Sequence, residues 1–146
     1  MLKIAHRGNV SGPSPRENHP FYIEEAIYLG FDVEVDVWLI DNNLWLGHDK
    51  PQYMTSKRFL DRYLDRLWIH CKNLPALEYF VSLKEGYRYF WHENDDHTLT
   101  SNGLIWTYPG KSVTKNCIVV IKDNSFLEEY SGIFGVCSDY VKSLPE

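Results

Sequence analysis

The stretch FDVEVDVWLI, residues 31–40, alternates with a period of two, the signature of a β-strand rather than a helix. Side chains point to opposite faces in turn, so Val33, Val35 and Val37 share one face and Glu34 and Asp36 the other. The two carboxylates then sit about 7 Å apart along the strand. If the acidic face meets solvent, this is an ordinary half-buried strand. If the valines pack against helices, as in a barrel, the carboxylates face the interior and repel each other, a conflict that a divalent cation resolves.

The stretch LWIHCKN (67–73) repeats the arrangement, with Ile69 and Cys71 on one face and His70 and Lys72 on the other. A solvated face accounts for either strand alone. A shared polar interior accounts for both.

Around these two strands the chain alternates strand and helix. The apolar run LKIA (2–5) leads into a Gly-, Pro- and Ser-rich loop at 8–20, and FYIEEAIYLG (21–30) has helical spacing with a Pro20 start and a Gly30 stop. After the turn at 41–43, LWLGHD (44–49) reads as a hairpin arm or strand extension. A second helix is predicted over 55–66, the strand of 67–73 follows, and a third helix covers 74–86. Further strands are predicted over 87–95, 103–110, 117–124 and 133–141, with a short helix over 125–132. About seven strands alternating with about four helices indicate a parallel sheet or barrel, smaller than a full eight-fold barrel.

The 146 residues have room for a single domain, 1–146. A hydrophobic content of 44% and an aromatic content of 15% exclude a disordered chain. The formal net charge of −5, with Lys and Arg scattered, leaves no basic footprint for nucleic acid. MLKIAHRG is no signal peptide, and no apolar run approaches the roughly 20 residues of a membrane span, so a cytoplasmic protein is expected. Cys71, Cys117 and Cys137 form no CxxC and read as reduced packing residues.

Two imidazoles lie close to these elements in sequence. His6 ends the first apolar run and is followed by Arg7, while His48 follows the hairpin and precedes Asp49. Taken singly, each is an ordinary loop histidine. Next to an acidic metal site, they would serve as general acid and general base, and the planar fork of Arg7 would grip a phosphate. The run His92, Glu93, Asp95, Asp96 and His97 is a polar loop or a second metal or polyol site, and Trp106 and Tyr108 share one strand face, as core or as a stacking wall.

Taken together, AHRGN (5–9), ENHPFYIEEAIYLG (17–30), the Glu34-x-Asp36 pair and His48-Asp49 resemble the amino-terminal signature of the glycerophosphodiester phosphodiesterase family. WIHCKN (68–73), LIWTYPG (104–110) and GVCSDYV (135–141) extend the resemblance collinearly along the chain. The resemblance implies the phospholipase-C-like variant of the TIM-type (β/α) barrel, with its site at the carboxyl ends of the strands. It implies that His6 and His48 are catalytic, and that Glu34, Asp36 and the residue at position 70 hold Mg²⁺ or Ca²⁺, with Mn²⁺ as a further choice. Arg7 and Lys72 would bind the phosphate, and Asn18 and Trp106 would complete the substrate site.

The chain departs from the family pattern in three ways. His70 stands where the third metal carboxylate falls, a softer donor less suited to Ca²⁺. His19 replaces the threonine of the Pro-Glu-Asn-Thr motif, with Glu17 and Asn18 kept. The length is short, so a strand–helix unit and the capping insertion are expected to be absent, leaving a small, incomplete α/β barrel whose open edge favours a homodimer. The implied activity is metal-dependent hydrolysis of a small glycerol-, polyol- or sugar-linked phosphodiester. The alternative is a non-catalytic module that binds a phosphorylated ligand on a degenerate barrel.

Overall fold

In the computed structural model, residues 1–123 and 128–146 are described. The helix expected over 125–132 has its first three residues outside that range. Among the described residues, one ten-stranded sheet organises the chain. Its parallel strands lie in the order β6 (Arg88–Phe90), β5 (Leu67–Cys71), β2 (Asp32–Ile40), β1 (Leu2–His6), β10 (Gly135–Ser138), β9 (Cys117–Ile121) and β8 (Ile105–Thr107). The carboxyl half of β2 runs on into an antiparallel ribbon with β3 (Asn43–Leu46) and β4 (Tyr53–Thr55).

The sheet curls until its two ends meet. Trp106 of β8 stacks on Phe90 of β6 with ring centroids 4.4 Å apart. Among the described residues these two strands are not paired with each other. β7 (His97–Leu99), antiparallel to β8, fills the gap with the residues just after it. There the Ser101 amide donates to the Tyr89 carbonyl at 2.8 Å and the Tyr89 amide donates to the Ser101 hydroxyl at 2.9 Å. The result is an incomplete, TIM-like α/β barrel.

Among the described residues, three α-helices cover one side. α1 (Pro20–Tyr28) starts at Pro20, has its first turn capped by His19, and buries Ile23 and Ala26. α2 (Lys57–Arg62) is capped by Ser56 and buries Leu60; it is shorter than predicted because the chain from Tyr63 turns directly into β5. α3 (Leu74–Ser82) is capped by the Asn73 side chain and buries Ala76 and Phe80. None of the helices among the described residues is long and apolar enough to cross a membrane.

Two cores separate by strand parity. Val33, Val35, Val37, Ile69, Cys71 and Val119 face outward and pack with the helix residues Ile23, Ala26, Leu60 and Phe80. Ile4, Trp68, Phe90, Trp106, Ile118 and Cys137 fill the inside of the curl. The valines of β2 therefore face the helices, and Glu34 and Asp36 are buried on the inner side above this plug. All three cysteines are buried and unbridged.

Candidate active site

Register sets the site. His6 pairs with Glu34 across β1 and β2, Asp36 pairs with His70 across β2 and β5, and His70 pairs with Phe90 across β5 and β6. Because parallel partners in register share a face, the inner residues at the carboxyl ends of these strands converge. They line a cleft of about 800 Å³ that holds His6, Arg7, Glu34, Asp36, His48, His70 and Lys72, and also His92, Trp106, Tyr108, Lys122 and Asp139.

The chain leaves β1 through a strained turn. Arg7 adopts φ 56°, the left-handed region that non-glycine residues avoid at about 1–2 kcal/mol, and its amide donates to the Glu34 carbonyl at 2.9 Å. Gly8 follows at φ 88°, where a Cβ would fall 2.6 Å from the Tyr22 ring. Only glycine fits there. The turn directs the Arg7 guanidinium to Glu17 (Nη1 to Oε2, 3.1 Å) and to Asp36 (Nε to Oδ2, 3.5 Å).

His6 is oriented by a residue that was not singled out from the sequence. Its Nδ1 lies 2.8 Å from Asp139 Oδ1, just beyond β10, which turns Nε2 toward Glu34 Oε2 at 3.8 Å. Burial works against a charged His6, but the hydrogen bond to Asp139 and the charge of Glu34 outweigh it and raise its affinity for a proton. Asn9, fully buried, donates through Nδ2 both to Asp139 (2.8 Å) and to Glu17 (2.9 Å), and accepts from Tyr22 at Oδ1. The alternation in GVCSDYV that puts Cys137 and Asp139 on one face was the available signal for Asp139. Asn9 and Glu17 sit in an irregular loop, where the motif resemblance alone drew attention to them.

Asp36 is held from several sides. Asn18 donates to its Oδ2 at 2.9 Å and accepts from its backbone amide at 3.0 Å, while His48 Nδ1 stands 3.4 Å from the same Oδ2. Burial pushes its carboxyl up, yet His48, His70 and Asn18 together bring it well below the usual carboxylate range. Asn18, expected at the substrate, is instead buried with both ends of its amide spent on Asp36, so it supports that carboxylate. Glu34 moves the other way: burial, then the neighbouring charge of Asp36, hold its carboxyl above the ordinary value. Lys72 Nζ lies 4.0 Å from Asp36 Oδ1. Trp106 forms part of the inner plug and also lines the cleft.

Glu34, Asp36 and His70 offer one ligand atom each, and these atoms all lie within 4.8 Å of one another. Asp36 Oδ1 is buried without a hydrogen-bond donor, although His70 Nδ1 is 3.1 Å away. Two acidic oxygens and a ring nitrogen around one point, one of the oxygens unsatisfied, is a donor set that fits a divalent cation.

Among solved structures, the chain is similar in fold to a glycerophosphodiester phosphodiesterase from Parabacteroides distasonis. The superposition covers 97% of this chain and 94% of that one, with a TM-score of 0.53 and 11% sequence identity. No protein-family model matches the sequence, and no curated protein does. The likeness is one of fold, and it agrees with the barrel expected from the motif order.

Proposed function

We propose that the chain is a metal-dependent phosphodiesterase acting on a small glycerol-, polyol- or sugar-linked phosphodiester. The observation that carries this reading is the gathering, at the carboxyl ends of β1, β2 and β5, of two histidines and two cationic side chains around the Glu34–Asp36–His70 donor set. The activity named for the P. distasonis protein supports it, as does a cleft whose size suits a small ligand and whose wall is formed by Trp91, Trp106 and Tyr108.

Glu34, Asp36 and His70 would hold a divalent cation, which when bound offsets the anionic charge that builds on the phosphoryl oxygens. Arg7 and Lys72 bind the phosphate from the same side. His6, oriented by Asp139 and with a raised proton affinity, donates its proton to the leaving alcohol oxygen as the P–O bond breaks. His48 takes the proton from the attacking water, whose oxygen forms the new P–O bond. The products are a phosphomonoester and a free alcohol.

The test is hydrolysis of bis(p-nitrophenyl) phosphate and of glycerol-linked phosphodiesters by metal-stripped protein resupplied with Mg²⁺, Mn²⁺, Ca²⁺, Co²⁺ or Zn²⁺. Turnover that needs added metal is expected, falling about 100-fold or more in His6→Ala and in His48→Ala. Absence of turnover with every metal refutes the reading and leaves a phospho-ligand module. Full activity in His6→Ala refutes the assignment of that residue.

A further inference from the structure

We infer that the Glu34–Asp36–His70 site is built for a borderline first-row dication of the Zn²⁺ or Co²⁺ class, and discriminates against Mg²⁺ and Ca²⁺. The inference rests on the phosphodiesterase reading for the presence of a cation and adds its chemical identity.

The reason lies first in the ring of His70. Its Nε2 is 3.1 Å from the His92 carbonyl oxygen. A carbonyl only accepts, so this contact places a ring proton on Nε2 and leaves Nδ1 as the ring atom that faces the site. Phe90 stacks on the imidazole at 5.1 Å with an interplanar angle of 14°, which fixes the plane of the ring. Nδ1 is thereby aimed at Asp36 Oδ1, 3.1 Å away, and at Glu34 Oε1, 3.8 Å away. His70 Nδ1 and the two carboxylate oxygens face one another, and a metal-ligating histidine whose other nitrogen donates to a backbone carbonyl is a recurrent way of orienting such a ligand.

The count of available donors points the same way. Asp36 Oδ2 is committed to Asn18 and lies beside Arg7 and His48, which leaves Oδ1 as a single ligand atom. Glu34 Oε2 accepts from the Arg7 amide at 3.3 Å and faces His6, which leaves Oε1. The protein thus presents two single oxygens and one nitrogen. Ca²⁺ takes about 6–8 oxygens, often from bidentate carboxylates, and Mg²⁺ completes an all-oxygen octahedron around one or two carboxylates with water, so the imidazole nitrogen is the donor that weighs against both. Three protein ligands including an imidazole, with a position left open, is instead the arrangement of catalytic zinc sites.

The test is calorimetric titration of the metal-stripped full chain with Zn²⁺, Co²⁺, Mg²⁺ and Ca²⁺, paired with proton NMR of the Co²⁺-loaded protein. The expected result is binding of Zn²⁺ and Co²⁺ at least about 100-fold tighter than Mg²⁺ or Ca²⁺. The Co²⁺ protein should show a strongly shifted, exchangeable imidazole N–H proton, that of His70 Nε2, which His70→Glu abolishes while weakening Zn²⁺ about 10–100-fold relative to Ca²⁺. Mg²⁺ or Ca²⁺ binding as tightly as Zn²⁺, or wild-type Co²⁺ protein without the shifted proton, overturns the inference and leaves the phosphodiesterase reading standing. Failure to bind any of the four cations overturns both.

Discussion

His6 is held from one side by Asp139 and faces Glu34 on the other, so its proton is stabilised by two carboxylates at once. Its folded-state pKa lies above the ordinary 6.5, and the protonated form needed by a general acid is lost only as pH rises through that raised value. Asp139→Asn keeps an acceptor for Nδ1 but removes the charge, which lowers the pKa of His6. The alkaline limb of kcat/KM should therefore move to lower pH, with at least about a tenfold loss of rate at neutral pH, as read from a pH–rate profile. An alkaline limb that stays in place would show that His6 is not the acid. At this scale the sequence was informative where alternation was strict. Glu34, Asp36, His70 and Lys72 were readable as inner-face residues because parity along a strand is fixed by backbone geometry. Asp139 was missed because alternation in GVCSDYV sets it on a face with Cys137 but with no second ionisable residue, its place beside His6 arising only when β10 is laid beside β1.

Among the elements, the junction of β2 and α3 shows how a helix cap also fixes a strand. The Asn73 side chain caps α3 through Ala76, and it also exchanges two hydrogen bonds with the backbone of Leu39. It thus ties the far end of β2 to the helix that packs on its outer face. Asn73→Ala should lower stability by about 2 kcal/mol, measured as a shift of the urea midpoint with an unchanged slope. An unmoved midpoint would mean that the clamp is redundant. The helices were legible in outline through Pro20, Gly30 and Pro75, which mark starts and stops. The short strand β7 was not, because HTL lies within a polar run whose alternation is too brief to register, and its pairing with β8 is a tertiary choice. Few described residues beyond β7 are helical, so the strand-and-helix rhythm of the first half does not continue through β8 and β9.

Over the whole molecule, the charged interior ties stability to metal. The Glu34 carboxyl is held above its ordinary value of 4.5 by burial and by Asp36, so the folded state binds its proton more readily than the unfolded chain does. Stability without metal therefore falls as pH rises from 4.5 through that raised value, and a bound cation restores it. Glu34→Gln should melt at a higher temperature than the wild type in the absence of metal at neutral pH. The wild type should gain about 5–10 °C at a metal concentration a hundred times Kd, a gain the variant lacks. A metal-induced shift that persists in Glu34→Gln would place the cation elsewhere. The barrel itself was legible from the succession of strands and helices and from the motif order, but its closure through Ser101 and Tyr89 was not, since that depends on how far the sheet curls.

The central claim is that β1, β2 and β5 assemble one centre for metal and phosphate. It is tested most directly by crystals grown with Co²⁺ and inorganic phosphate and measured at the cobalt absorption edge. The account predicts a single strong anomalous peak within about 2.3 Å of Glu34 Oε1, Asp36 Oδ1 and His70 Nδ1, with phosphate between that peak and the Arg7 and Lys72 side chains. A cation bound away from these three residues, or a phosphate that avoids Arg7 and Lys72 while the cation sits in place, would contradict it.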